Sequence, residues 1–284
     1  MEDGVVVGQL PAARRVVVKA RAEARVDAAR VSLVVFAAFT AAAVAGYAVF
    51  GRHPEMLTRF PGAMGVYGVA FVAFARAHVL LAFVALAVAL VRLAGVRWLP
   101  ALGAVYAASL ASELLGTTVG LPFGPYRYTD GLGLKWFGHV PLLIPLSWFT
   151  MALPSFALAR GVRPAARVPI AALVLLAWDL ALDPAMSRAT FYWVWGSTGP
   201  YYGMPWLNLL GWFVTGLVLM AILTRAGAAE WADALDRRWV AAFYAVNLAM
   251  PLGICVAAGY WGAALVTAGA LAACALLGRG LRAR

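Results

Sequence analysis

The segment that decides the fold is Trp178-Asp179-Leu180-Ala181-Leu182-Asp183-Pro184, which ends an apolar run that begins near Ala165. Its two carboxylates are four residues apart, so on a helix they project from one face. The residues just before them, 170–177, are apolar enough to lie in the hydrocarbon core of a membrane. A carboxylate at that depth is costly, and membrane proteins keep one mainly where it is paired or functional. The segment therefore predicts a polar site inside a bundle of membrane-spanning helices.

The composition of the whole chain agrees with a membrane protein. It is 64% hydrophobic and 12% charged, with a mean hydropathy of +0.85, which excludes a disordered or ordinary soluble protein. The 284 residues suffice for about eight spans of about 20 residues each. The sequence thus predicts an all-α, polytopic transmembrane helix bundle. The predicted spans are 31–50, 69–91, 98–116, 140–159, 165–183, 206–224, 239–258 and 260–278.

Basic residues predict how these spans are oriented. If the N-terminus is inside, 17 of the 23 basic residues fall on the inner side and 5 on the outer side. This asymmetry predicts two cytoplasmic termini in a multi-pass protein of the cell (inner) membrane, with the loops 117–139 and 184–205 facing outward. Residues 1–30 are then a basic cytoplasmic segment, and residues 31–284 a single integral membrane domain. The net charge of +11 indicates contact with anionic lipids, not with nucleic acid.

Only three of the 12 acidic residues fall inside predicted spans, namely Glu113, Asp179 and Asp183. The third and fifth spans both run outward and carry these carboxyl groups near their outer ends, so the three are expected to share a depth. One arginine, Arg76, also lies within a span. Since one guanidinium cannot neutralise three carboxylates, at least one carboxyl group is expected to be protonated. These three acids are the predicted catalytic residues.

The predicted substrate-binding residues have aromatic, amide or guanidinium side chains on the spans or in the outer loops. They are Trp178, Tyr126, Tyr128, Trp148, Trp193, Trp195, Tyr202, Asn208, Trp212, Asn247 and Arg76. Each also has a purely structural interpretation. Aromatic residues form belts at membrane surfaces, Arg76 would neutralise one carboxylate, and Asp183 would simply end its helix before Pro184.

These residue types suit one kind of chemistry. A protonated acid adds its proton to an alkene, aromatic faces stabilise the carbocation, and a second carboxylate activates water. No metal or redox cofactor is indicated, and Cys255 and Cys274 lie in spans without a thiolate site. Among the acids, Asp179 is the first choice for proton donor. Asp183 would polarise the water, and Glu113 would share a proton with the pair or orient it.

Four segments resemble signatures of the carotenoid-biosynthesis membrane protein family, whose members include CruF-type hydratases and bisanhydrobacterioruberin hydratases. The segments are residues 113–128, 141–148, 178–184 and 201–212, and the resemblance covers roughly 106–215. It implies addition of water across the terminal C1–C2 double bond of an acyclic ψ end group, as in lycopene or γ-carotene. The implied partners are a carotenoid substrate, water and membrane lipids, with contact to other enzymes of the carotenoid pathway as a further expectation.

Three alternatives remain open at this point. A carotenoid cyclase would begin with the same protonation but exclude water, so that a ring closes. A proton-coupled transporter of lipids or small molecules uses the same residue types, although no inverted repeat is evident. A structural membrane subunit is the third alternative.

Overall fold

The computed structural model describes residues 12–282, and side chains from residue 28 onward except at 61 and 63. Residues 1–11 of the predicted basic segment lie outside the described residues. The helices are α1 (Ala12–Gly46), α2 (Glu55–Thr58), α3 (Pro61–Ala94), α4 (Leu99–Val119), α5 (Leu143–Leu158), α6 (Pro164–Asp183), α7 (Trp206–Arg225), α8 (Ala228–Ala232), α9 (Arg237–Ala257) and α10 (Trp261–Gly280). Two wider π-helical turns, Tyr47–Gly51 and Pro184–Ala189, extend α1 and α6.

The prediction of an all-α helical membrane bundle is confirmed. Within the described residues, seven helices are long and apolar enough to cross a membrane. The fourth predicted span, 140–159, is a shorter apolar helix, α5, of 16 residues. That helix is about 24 Å long, less than the roughly 30 Å of a hydrocarbon core. It begins late because a short hairpin of β2 (Lys135–Trp136) and β3 (Val140–Pro141) takes up the residues before it.

Helix α6 is the central element, and it contacts α5, α7, α9 and α10. Small residues allow these approaches: a side chain at Gly216 of α7 would lie 3.3 Å from the Cβ of Ala172 on α6. Close packing between small residues is the usual way in which helices associate in membranes, where lipid removes most of the hydrophobic driving force. The acidic end of α6 is thereby held in the middle of the bundle, with Asp179 and Asp183 both buried.

Prolines in two helices free backbone carbonyl groups that side chains then bind. Pro184 has no N–H, so the carbonyl oxygen of Leu180 lacks its helical donor and instead accepts a bond of 2.8 Å from the Tyr201 hydroxyl. Pro251 in α9 likewise frees the carbonyl of Asn247, which lies 3.4 Å from the indole nitrogen of Trp178. Both prolines therefore tie the end of α6 to neighbouring elements.

The two long loops meet at one end of the bundle. Strand β1 (Tyr126–Tyr128), from the loop after α4, pairs antiparallel with β4 (Trp193–Trp195), from the loop after α6. The sequence analysis predicts no strand here. Both loops thus lie on the same side of the bundle, as predicted, while the assignment of that side to the outside stays a prediction.

Candidate active site

A cavity at this end of the bundle collects most of the predicted site residues. The volume of this cavity is about 100 Å³. Eleven of the fourteen predicted residues line it, and that share is what makes it the candidate active site. They are Glu113, Asp183, Trp178, Tyr126, Tyr128, Trp148, Trp193, Trp195, Asn208, Trp212 and Asn247.

Glu113 is buried and bound by three hydrogen-bond donors. One carboxylate oxygen accepts from the hydroxyls of Tyr126 and Tyr128, the latter at 2.8 Å. The other oxygen accepts from the indole N–H of Trp148 at 2.8 Å. An ionised carboxylate only accepts hydrogen bonds, so three donors and no facing acceptor suit the ionised form.

The two tyrosines are suited to remain donors. Burial raises the pKa of Tyr126 and Tyr128 well above the ordinary value of a tyrosine, and the adjacent charge of Glu113 raises each pKa further. Both hydroxyls therefore stay protonated throughout the physiological pH range.

The loop that carries these tyrosines reaches Glu113 because two glycines leave space for it. A Cβ at Gly116, one turn beyond Glu113 on α4, would lie 2.8 Å from both Phe123 and Tyr126. A Cβ at Gly211 on α7 would lie 2.7 Å from the Pro122 carbonyl oxygen. Any larger residue at either position would push the loop away from the helices and withdraw the donors from Glu113.

Asp179 and Asp183 form a buried pair with fewer donors. The amide nitrogen of Asn208, in the first turn of α7, donates to Asp183 and lies 3.2 Å from Asp179. Asp183 also accepts a bond of 2.8 Å from the Trp193 indole N–H. The second oxygen of Asp179 has no hydrogen-bond partner among the described residues. Two adjacent buried carboxyl groups with so few donors are expected to hold a shared proton.

The β1–β4 ladder connects the two acidic centres. Tyr128, which binds Glu113, is paired directly with Trp193, which binds Asp183. Their rings are 5.9 Å apart, edge to face. Because opposite residues in a ladder point to the same face, one short pairing aims a donor at each carboxyl group.

Aromatic rings form much of the remaining wall. Trp148 and Trp212 stack with their centroids 4.0 Å apart, and Trp178 meets Trp212 edge to face at 5.9 Å. Trp195 lies 5.3 Å from Tyr126, and its indole N–H has no acceptor among the described residues. These rings are inside the protein, so a membrane-surface belt does not account for them. Trp136 and Trp206, by contrast, are exposed.

Three predicted residues do not line the cavity. Asp179 is fully buried behind Asp183. Tyr202 packs on Tyr260, and its hydroxyl accepts from the backbone N–H of Ala263.

Arg76 is the third of these residues. Its guanidinium donates to the carbonyl oxygens of Gly131 and Asp130, at 3.0 and 3.2 Å. It therefore holds a loop, and within the described residues no salt bridge joins it to any of the three acids.

Several lining residues are absent from the predicted set. His78 on α3 is buried, lies 4.9 Å from the Phe36 ring, and its Nε2 has no partner among the described residues. Because His78 is a polar residue within a predicted span, it could have been selected from the sequence as a site residue. The apolar lining residues Phe123, Met186 and Met250 gave none, because apolar side chains in a membrane protein do not stand out.

The fold and the site define a polytopic membrane protein with buried acids at an aromatic cavity. Residues 74–274 match the model of the carotenoid biosynthesis protein family, and the chain belongs to that family. A bisanhydrobacterioruberin hydratase of Haloarcula japonica is 31% identical over 120 residues, which are 40% of each chain. The match thus spans well under half of that relative's length. No solved structure matches this chain.

Proposed function

We propose that the protein is a cofactor-independent carotenoid hydratase, which adds water across the terminal C1–C2 bond of an acyclic ψ end group. The observation that carries this proposal is that one aromatic cavity holds two acidic centres with different surroundings. Glu113 has three hydrogen-bond donors, and the Asp179–Asp183 pair has fewer. Family membership supports a carotenoid as substrate, and the partial likeness to a protein named as a hydratase supports the addition of water.

We assign the proton donor to Asp183, with Asp179 behind it. Asp179 is the proton donor expected from the sequence, but Asp183 is the member of the pair that lines the cavity. In the proposed first step, the proton of the Asp183 carboxyl group is transferred to C2, and the π electrons of the C1–C2 bond form the new C–H bond. Asp179 and Asn208 position the carboxyl group and stabilise the carboxylate that remains.

The resulting cation is tertiary at C1, and the aromatic wall suits it. Ring faces attract cations, most strongly those of tryptophan, and the attraction increases where water is excluded. Trp148, Trp178 and Trp212 supply such faces.

Water then forms a C–O bond at C1 and transfers one proton to Glu113. The ionised carboxylate is the general base, and the free N–H of Trp195 is an available donor to the water oxygen. Transfer of a proton from Glu113 back to Asp183 restores the starting state. The sum of the steps is the addition of one water molecule and no change in oxidation state.

The direct test is expression in a lycopene-accumulating bacterium, followed by chromatography and mass analysis of the pigments. The proposal predicts products that contain one added water per converted end group. An isomeric cyclic product would replace it with the cyclase alternative. Unchanged pigment, with the protein present in the membrane, would contradict both enzymatic proposals.

We further propose that the loops 117–139 and 184–205 face outward, with both termini cytoplasmic in the cell membrane. Single cysteines at Asp130 and Ser197 should react with an impermeant thiol reagent from the outside only. The native Cys255 and Cys274 are both buried, which keeps the background low. Labelling from the cytoplasmic side would reverse the orientation.

A further inference from the structure

A second cavity adjoins the candidate active site. This side cavity has a volume of about 260 Å³ and lies between α1, α3 and α9. Ala75 and Met250 line both cavities, so these two side chains form part of the wall between them. Ala75 is small, and an unbranched methionine changes rotamer easily. A change in the Met250 rotamer next to the small Ala75 side chain would therefore open a narrow neck between the side cavity and the site.

The walls of the side cavity are suited to an apolar occupant. None of the described residues that line it is charged. The hydroxyls of Tyr47, Thr190 and Tyr192 are occupied, since they donate to the carbonyl oxygens of Ala189, Ala185 and Phe71. Tyr67 carries the one remaining hydroxyl among the described residues that line the side cavity. A polar ligand would find few hydrogen-bond partners here, whereas a hydrocarbon needs none.

Aromatic faces line the passage. Phe71 and Tyr192 stack with centroids 5.7 Å apart and an angle of 7° between the rings. Phe74, on the same face of α3 one turn further, also lines the cavity. Flat parallel rings along a passage match the flat shape of a conjugated chain.

The outer end of the side cavity opens toward the lipid. Val66, which lines it, is 68% exposed, and its neighbour Val69 is 72% exposed. Exposed apolar residues on a membrane helix face lipid tails, so this end is an entry from the bilayer. An apolar substrate could reach the site from here without crossing water.

We propose that the side cavity binds the polyene chain of the substrate while its end group lies among Glu113, Asp183 and the tryptophans. This inference rests on the proposed function for the identity of the end group. A conjugated chain is stiff, so it must leave the active site along a straight passage, which movement of Met250 at the neck would open. The side cavity thereby selects long, linear and apolar substrates.

The test compares bulky variants in pigment-accumulating cells. Ala70→Trp and Ala43→Trp would each fill the side cavity, from α3 and from α1. The controls Ala73→Trp and Ala45→Trp place the same side chain on the same helices at exposed positions that do not line it. Each variant is purified from lycopene-accumulating cells, once alone and once combined with Asp183→Asn, which is expected to prevent hydration of the bound pigment. The amount of bound pigment per protein is measured by absorbance.

The proposal expects both filling variants to lower bound lycopene and hydrated product by about tenfold or more, whereas the controls retain both. Size-exclusion chromatography in detergent verifies that all four fold. Normal pigment binding in both filling variants, or no bound pigment in any protein, would overturn the inference. Pigment that depends on the side cavity without any hydrated product would instead contradict the proposed function and leave this binding site standing.

Discussion

Glu113 and the Asp179–Asp183 pair serve the same cavity but are held in opposite ways. Glu113 has three donors on two oxygens, from Tyr126, Tyr128 and Trp148. The pair has two donor groups for four oxygens, and one oxygen of Asp179 has none. Under the proposed function, this difference lets one cavity hold a base and an acid that are built from the same functional group. A buried carboxyl group with many hydrogen-bond donors favours the ionised form, whereas one with few donors favours the protonated form.

The largest effect is expected for Asp183→Asn. The amide keeps the shape of the carboxyl group but cannot deliver an acidic proton, so hydrated pigment should fall about 10²–10⁴-fold. Pigment analysis at matched protein level measures this. Asp130→Asn is the matched control, because the Asp130 side chain is exposed and, among the described residues, accepts a hydrogen bond only from Lys135, which lowers the pKa of Asp130. Wild-type activity in Asp183→Asn would remove the pair from the role of acid.

Glu113→Gln should lower hydration by about 10²-fold through loss of the base. Its distinguishing feature is the product pattern. Since protonation at Asp183 continues, some cations should end as eliminated or cyclised isomers, which mass analysis separates from hydrated pigment. If the two variants leave the same pigments, the division into acid and base is wrong.

Asp179→Asn should lower hydration by about tenfold, less than Asp183→Asn, because Asp179 acts through its neighbour and does not touch the cavity. The pH dependence of the rate separates positioning from a structural effect. It should change its shape in Asp179→Asn, since only one titrating group of the pair remains. A larger loss than in Asp183→Asn would return the donor role to Asp179.

Tyr128→Phe and Trp193→Phe each remove one donor, to Glu113 and to Asp183 respectively. Loss of a donor matters more to an ionised group, so Tyr128→Phe should cost about fivefold in rate and Trp193→Phe less. Rates of hydrated pigment formation in isolated membranes give the ratio. A greater cost for Trp193→Phe would indicate that Asp183 is the ionised group.

Arg76→Gln should change the hydration rate by less than about twofold, because hydrogen bonds from this guanidinium to loop carbonyl oxygens contribute only modestly to stability. Thermal unfolding in detergent should show the small loss of loop stability. A loss as large as that of Glu113→Gln would mean that Arg76 does balance a buried charge.

The helices and the acidic residues were predictable from sequence because both signals are local. Runs of apolar residues set the spans, and Glu113, Asp179 and Asp183 stand out against them. The location of Asp179 behind Asp183 was not predictable. On a helix both residues share a face, and only the approach of α7 and of β4 decides which carboxyl group meets the cavity.

The loops were the part that sequence could not resolve. Their aromatic content predicted a role for Tyr126, Tyr128, Trp193 and Trp195, all of which line the cavity. Strands of three residues carry too little pattern to be recognised, and their pairing joins residues far apart in the chain. Arg76 and Tyr202 do not line the cavity, and their hydrogen-bond partners are backbone groups, which a sequence does not reveal.

The β1–β4 ladder has a consequence for which changes in chain length the protein tolerates. Insertion of one residue into either strand would turn its side chains to the opposite face, so Tyr128 and Trp193 would no longer point the same way. Both acidic centres would lose a donor together. An insertion at the exposed turn near Gly138, between β2 and β3, would leave the ladder untouched. Natural variation in loop length should therefore accumulate at that turn and be absent from the two strands.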